Sequence, residues 1–408
     1  MRRTRNALLI AFSLLTSCTV CVEGPEEPVD FGPPLPVEKT QALPVLMHYM
    51  PWFESAPHDG QWGQHWTMAT ANPDLTGADG LPDIAAHFHP LIGPYSSFDV
   101  DVLEYHALLM KYAGVDAAVI DWYGTHNVLD YGRLDEATEA FIAVLKSVGI
   151  DYALMYEDRT LANVPMSHID AATADWEHLA MRHFTDTAYF QVDDAPWVGV
   201  FGPIELENPA EWAAVFDNAS IENVRLHTLW GEQADAGPQA SGEFAWVWAG
   251  NGTDHFAAVE TFTEAASAAA ARVGIAYPGF EDYYAPGGWG DGLGWTIDPA
   301  EGQTFRDLLS LATTHAQSLE ALQIATWNDF GEGTMVEPTA EDGFARLLDL
   351  QAFAGVPYGL AELELIHELY LKRKQNAGNP DVQADLDAVR GFLLRLDPDA
   401  AAARLAEI

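Results

Sequence analysis

The chain has 408 residues, 49% of them hydrophobic, with 61 acidic side chains against 19 lysines and arginines and a formal net charge of −42. That length supports one large core or two moderate ones, while the charge repels nucleic acid and anionic polysaccharide and favours neutral or basic ligands, unless it is only a solubility or high-salt adaptation. The two cysteines stand at positions 18 and 21, so the body has no disulfide framework, no cysteine metal site and no cysteine nucleophile.

Residues 1–17 read as a targeting segment. Arg2, Arg3 and Arg5 precede an apolar run over 7–15 that is too short to cross a bilayer, and Leu15-Thr16-Ser17-Cys18 supplies a small-residue end. The quartet is similar to a bacterial lipobox, which implies cleavage before Cys18 and a lipid attached to it. An exported lipoprotein of the outer membrane, facing periplasm or cell surface, is the expectation; a plain signal peptide and secretion is the alternative. Residues 18–42 carry Pro25, Pro28, Pro33, Pro34 and Pro36 among acids and predict a disordered tether.

From 43 to 358 the chain alternates. Apolar, β-rich runs occur at Val45–Trp52, Ala117–Tyr123, Tyr152–Tyr156, Trp197–Phe201, Val224–Trp230, Phe244–Trp248, Val273–Tyr277 and Leu322–Trp327. Helical patterns lie between most of them, at 100–113, 134–148, 171–187, 210–218, 256–272 and 305–319. Strand–helix alternation with eight strands predicts an α/β fold, a (β/α)8 TIM barrel. The connection Gly231–Glu243 shows no helix, which keeps an open doubly wound sheet as the rival, although no Gly-rich dinucleotide fingerprint follows the first strand. Residues 359–408 read as a C-terminal helical extension, with helices at Leu360–Lys374 and Asp381–Leu394 and a last short one at Ala400–Ile408.

The chemistry is carried by the residues at the carboxyl end of each run. The eighth passes into Trp327-Asn328-Asp329-Phe330-Gly331-Glu332-Gly333, two carboxylates three residues apart in a loop that glycine allows to turn sharply. Barrel enzymes place their sites at the carboxyl ends of strands, and a pair of carboxylates there suits acid/base work on a glycosidic bond. Asp329 and Glu332 are the candidate catalytic pair; the competing reading is a pair capping the next helix. Asp121, Trp122 and Tyr123 close the second run, Glu157 the third, and Trp248 the sixth, while Glu281 and Tyr283 come after the seventh. Aromatic faces stack on the CH faces of sugars and carboxylates accept from hydroxyls. Asp158 or Glu157 is expected to pair with Arg159. His48 reads as a core histidine. His65, His87 and His89 have poor spacing for zinc, so no metal and no cofactor is expected. A Gly-x-Ser-x-Gly elbow and a phosphate-cradling P-loop are both absent from the sequence.

With these residues placed, Trp327 to Pro338 resembles the signature of glycoside hydrolase families 99 and 71, the endo-α-mannosidase and α-1,3-glucanase group. His48-Tyr49-Met50-Pro51-Trp52, Gly93-Pro94-Tyr95-Ser96-Ser97, Ile120-Asp121-Trp122-Tyr123 and Tyr156-Glu157 add to the likeness. The resemblance implies retaining endo-hydrolysis of α-linked glycans on a (β/α)8 barrel. It gives Asp329 the role of assisting the sugar's 2-hydroxyl, through a 1,2-anhydro intermediate, and Glu332 that of general acid and then base. Tyr49, Trp122 and Glu157 would line the subsite of the cleaved sugar, with Trp52, Tyr95, Trp327, Asn328 and Glu337 also at the substrate. Family 99 has Glu where this chain has Asp329, and one methylene changes the reach by about 1.5 Å. The chain also lacks the family's arginine after the seventh run and its histidine in the fourth, so α-glycan hydrolysis is the expectation and the sugar stays open. The rival functions are a glycan-binding lipoprotein that does not cleave and a surface structural protein. The expected partners are an oligo- or polysaccharide and, through the anchor, a membrane, with no nucleic acid and a monomeric chain.

Overall fold

In the computed structural model, residues 31–78, 80–267 and 270–408 are described, and Pro33–Ile408 forms one compact unit. The expected targeting segment and Cys18 lie outside the described residues. Eight strands take up the apolar runs: β1 Val45–Tyr49, β2 Ala117–Trp122, β3 Asp151–Tyr156, β4 Ala195–Val200, β5 Arg225–Leu229, β6 Ala240–Phe244, β7 Ala271–Ala276 and β8 Ala321–Ile324. All of β1 and β2 is buried, as parallel strands covered on both faces must be. Neighbours pair in parallel in sequence order, β1 with β8 through Val45↔Leu322 and β3 with β4 through Leu154↔Val198. The sheet therefore closes on itself, which rules out the open doubly wound alternative.

A barrel helix comes after each strand: α1 Val100–Tyr112, α2 Tyr131–Val148, α3 His168–Arg182, α4 Pro209–Ala219, α5 Gln233–Ala236, α6 His255–Glu264, α7 Gln303–Thr314 and α8 Ala345–Ala354, with further single turns at Ala56–Asp59 and Gln64–Thr67 after β1 and Tyr284–Gly287 after β7. Side-chain caps start several of them, with Asp99, Ser167 and Asn208 accepting from backbone N–H groups of the first turn. The connection read as helix-free contains α5, a single turn followed by a tight 3₁₀ turn at Gly237–Gln239. The sixth strand starts four residues before the expected run, because Ala240-Ser241-Gly242-Glu243 carries little apolar signal. Gly242 is required there: a Cβ would meet Ala271 O at 2.5 Å and His227 Nε2 at 2.6 Å. Trp246 and Trp248, expected inside that strand, lie in the loop beyond it.

Beyond the barrel, α9 Leu360–Gln375, α10 Pro380–Leu394 and α11 Pro398–Leu405 form the helical extension and dock on α1. Arg373 and Arg390 both reach Glu104 at 2.7 Å, and the Tyr112 hydroxyl donates to Leu393 O at 2.9 Å. The expected tether is fastened from Pro33 onward. Leu35 N donates to Leu394 O at 2.9 Å, Lys111 Nζ donates to Leu35 O at 2.6 Å, and Lys39 pairs with Asp116. Backbone hydrogen bonding and two buried-side lysines outweigh the proline-rich composition there. Among the described residues no helix is long and apolar enough to cross a membrane.

Candidate active site

Side chains alternate across a strand, so each barrel strand sends every second residue inward. His48 at the end of β1 and Asp121 at the end of β2 point into the mouth, and Glu157 stands directly after β3. From β8 the chain leaves through Thr326, whose hydroxyl accepts from Asp329 N at 2.8 Å. Asp329 Oδ1 in turn accepts from Glu332 N at 3.0 Å, closing a tight turn that presents both acids. This turn is tied to the loop after β7, since Glu281 N donates to Glu332 O at 3.0 Å and Tyr283 N to Gly331 O at 2.8 Å. Gly333 at φ +67° allows that approach, because a Cβ there would lie 3.0 Å from Glu281 O. The next helix begins only at Ala345, so neither acid caps it.

The result is a cavity of about 280 Å³, near the lower bound of small-ligand pockets, roughly 300 Å³. Four carboxylates, Asp121, Glu157, Asp329 and Glu332, face it with one guanidinium, Arg159. Trp52 stacks on His65 at 4.2 Å and Tyr284 on Trp289 at 6.2 Å, giving the rim flat aromatic faces. Phe201 and Trp246, just past the carboxyl ends of β4 and β6, close one side. The Tyr284 hydroxyl donates to Glu332 Oε1 at 2.7 Å. Beside this chamber lies a second one of about 430 Å³, which shares Arg159, Phe201, Trp246, Tyr284 and Glu332 with it and adds Trp230, Trp248 and Trp295. Glu332 stands on the boundary between them.

Crowding acids into a partly apolar site favours their protonated forms. Burial pushes Asp329 well above the usual carboxylate range, and the charge of Glu332 adds to it against the backbone N–H groups of Glu332 and Gly331. Burial raises Glu332 as well, opposed by the Tyr284 hydroxyl and by Arg159 and reinforced by Asp282. Asp121 is raised by burial, then by Glu157 and Asp329. Burial lifts Glu157 to about 7 despite Arg159, whose Nε lies 3.2 Å from Glu157 Oε2. His48 and His65 are held neutral, each pushed down to about 3 by burial. Carboxyls whose hold on a proton is strengthened in this way, with one guanidinium and a tyrosine hydroxyl opposing the shift, are the equipment for general acid/base chemistry at a developing cation.

No family model matches the chain. Over 114 residues, 26% of this chain and 25% of that protein, it is 30% identical to the glycoprotein endo-alpha-1,2-mannosidase of Xenopus laevis. It is 32% identical over 114 residues to an endo-alpha-1,2-mannosidase-like protein of Mus musculus, again 26% of this chain and 25% of that protein. The match thus spans about a quarter of the length of these relatives. Its fold superposes on the GH99 endo-alpha-mannosidase from Bacteroides thetaiotaomicron with a TM-score of 0.59 and 18% identity, covering 76% of this chain and 96% of that one. A glycoside hydrolase-like protein superposes with a TM-score of 0.57 and 15% identity, covering 80% and 98%. The chain resembles glycoside hydrolase family 99.

Seen beside that family 99-like barrel, the expected site residues divide. Asp329, Glu332, Asp121, Tyr123, Glu157 and Trp52 meet in the chamber, and Trp248 lines the adjoining one. Tyr49 and Trp122, implied by the family 99 resemblance as subsite residues, do not. They occupy the outward phase of β1 and β2: Tyr49 stacks on Phe141 at 4.0 Å, and Trp122 donates to Asp135 Oδ1 at 2.8 Å. Tyr95, Asn328 and Glu337 form a buried brace instead. Tyr95 donates to Glu337 Oε2 at 2.7 Å, Asn328 Nδ2 donates to Met50 O and the Tyr95 hydroxyl, and Glu337 pairs with His106 at 3.2 Å. Trp327 is fully buried against His106. Glu281 turns to His87 at 3.8 Å, and Tyr283 packs edge-on to the same ring.

Of the three histidines weighed for zinc, His65 joins the chamber, His87 faces Asp282 O, and His89 pairs with Glu341. Asp158 leaves Arg159 to Glu157 and accepts from the backbone of Ile204, Glu205 and Leu206, fixing the loop after β4. Sequence patterns alone do not single out Arg159, Phe201, Tyr284 and Trp289 as site residues. The only signals they offer are of position: Phe201 directly after β4, Arg159 three residues past β3, and Tyr284 next to Tyr283.

Proposed function

We propose that this chain is a retaining α-glycoside hydrolase acting on mannose-containing glycans, with Glu332 as the general acid and then base. The observation that carries the reading is the position of Glu332. It lies on the boundary between a chamber holding three further carboxylates and a chamber walled by tryptophans, which is where a proton must reach a bridging oxygen.

In this reading the cleaved sugar sits in the acidic chamber, between Trp52 and Phe201, and the leaving portion runs over Trp246 and Trp248. An opening on both sides of Glu332 supports internal cleavage of a chain. Asp329 and Asp121 face the anomeric region, where a carboxylate ionised among these crowded acids stabilises the oxocarbenium character of the transition state. With Tyr284 holding Glu332 in one orientation, its proton passes to the departing oxygen, and the carboxylate so formed then activates water from the same face. Asp329 accepts the proton of a sugar hydroxyl, the 2-hydroxyl in the 1,2-anhydro route, for which the backbone N–H of Glu332 orients its carboxylate. Arg159 keeps Glu157 charged enough to accept from a second hydroxyl. The relatives named endo-alpha-1,2-mannosidase favour α-mannan over α-glucan as the first substrate to try. Export on a lipid anchor at Cys18 belongs to the same proposal and rests on the sequence alone.

The test is a reducing-end assay of the purified protein on α-mannan and α-glucan oligosaccharides. Release of internal fragments from an α-mannan, with none from Asp329→Asn, supports the enzyme. Binding of the same oligosaccharides without any cleavage assigns the groove to a receptor instead.

A further inference from the structure

On the outer face of the barrel, α2 and α3 carry a cluster that the proposed reaction does not use. Glu139 of α2, His178 of α3 and His183 at the end of α3 each bring one ligating atom to within 4.8 Å of the others. His183 is only 2% exposed. The Nε2 atoms of both histidines are buried and have no hydrogen-bond partner among the described residues. His183 Nε2 faces Glu139 Oε1 at 3.7 Å, beyond hydrogen-bonding reach. Leaving a buried nitrogen unpartnered is costly, and two of them side by side can be satisfied by one shared partner.

The ring spacing accommodates a metal ion as that partner. The two imidazole centroids lie 5.3 Å apart with planes inclined at 54°. Two imidazoles bound through Nε2 to one tetrahedral zinc at about 2.05 Å place their centroids about 5.2 Å apart. The opposite nitrogen is prepared as well. His183 Nδ1 lies 3.1 Å from the Tyr152 hydroxyl, which lies 3.5 Å from Asp186 Oδ2. With Tyr152 turned toward Asp186, Nδ1–H donates to the tyrosine oxygen and the Nε2 lone pair faces Glu139, the tautomer a metal requires. Arg182 holds Glu139 through both carboxylate oxygens, at 3.1 and 2.9 Å, but its side chain is 60% exposed and free to leave Oε1 to a cation. The ligand atoms, within 4.8 Å of one another, need to close by up to about 1.5 Å to reach tetrahedral spacing, which rotation of Glu139 and the half-buried His178 can supply.

We propose that Glu139, His178 and His183 bind a divalent cation of the zinc class, with water as the remaining ligand, clamping α2 to α3. Imidazole with one carboxylate selects zinc-like ions over calcium or magnesium, which prefer all-oxygen shells. The clamp lies behind β2 and β3, the strands that deliver Asp121 and Glu157, and it stands whether or not the barrel hydrolyses glycans.

The test uses the full chain stripped with a chelator, titrated with Zn²⁺ by calorimetry and with Co²⁺ by visible absorption. One Zn²⁺ per chain with a Kd of about 1 µM or tighter, tetrahedral Co²⁺ bands and an unfolding midpoint that rises with Zn²⁺ are expected. His178→Ala and Glu139→Gln should each weaken Zn²⁺ by about 100-fold or more and remove the rise in midpoint. Both positions are incompletely buried, so the variants fold, and their metal-free midpoints serve as the reference. Absence of tight Zn²⁺ binding by the wild type overturns the proposal. So does tight binding that survives in both variants, which would place the ion on other histidines.

Discussion

Tyr284 donates to Glu332 Oε1 at 2.7 Å and thereby favours the ionised carboxylate. Removing the hydroxyl raises the Glu332 pKa. Since a general acid must hold its proton, the alkaline limb of kcat/KM should move to higher pH in Tyr284→Phe; a limb that stays in place or moves down contradicts the assignment. Glu157 supplies a second test at this scale. Its folded pKa, about 7, lies above the ordinary carboxylate value of 4.5, so its contribution to stability is fully present below about 4.5 and is lost as pH rises through 7. The loss is on the order of 3 kcal/mol for a group that is 7% exposed. Denaturant titrations at pH 5 and pH 8 should show the wild type losing stability over that interval by more than Glu157→Gln does. Equal losses in the two proteins would place Glu157 in a wetter setting than the one described.

At the scale of elements, the ends of β1 and β8 are latched through one side chain. Asn328 Oδ1 accepts from Met50 N at 2.8 Å, and its Nδ2 donates to Met50 O at 3.0 Å and to the Tyr95 hydroxyl at 3.1 Å. Asn328→Ala leaves a buried backbone N–H and two acceptors unpaired, so stability should fall by about 2–4 kcal/mol in denaturant titration. A loss under about 0.5 kcal/mol would mean that water reaches the latch. This residue also shows where the sequence stops being legible. The motif from Trp327 to Pro338 announces a site, but motif membership does not say which side chains face the ligand. Strand phase decides that, and a one-residue change of phase exchanges His48 for Tyr49 or Asp121 for Trp122. The eight strands are visible in the sequence because buried parallel strands are nearly unbroken apolar runs, and the exception, β6, is the strand whose Gly242 and Ser241 break that rule. Helix α5 is invisible there because a single turn carries no periodicity, and α8 because the site signature dominates the stretch before it. Cross-element partners such as Glu139 with His183 lie 44 positions apart, beyond any spacing rule.

At the scale of the molecule, the chain carries 61 acidic groups against 19 basic ones, and many of the basic groups are engaged in ion pairs, as with Arg373 and Arg390 on Glu104. Self-repulsion at this net charge opposes the compact state, and salt screens it within a Debye length of about 8 Å at 0.15 M. Thermal unfolding should therefore occur at higher temperature in 1 M than in 0.05 M NaCl; a fall would mean that the surface pairs outweigh the repulsion. The same charge concentrates in the mouth, where the acids of the reaction chamber face Arg159, and the chemistry proposed for the whole chain rests on one of them releasing a proton. That step is measured most directly by leaving-group dependence. Glu332→Gln should lose about 10³-fold in kcat/KM on an α-mannoside with a sugar leaving group, and under about 10-fold on one whose leaving group departs without protonation. Equal losses on both substrates would contradict the role given to Glu332.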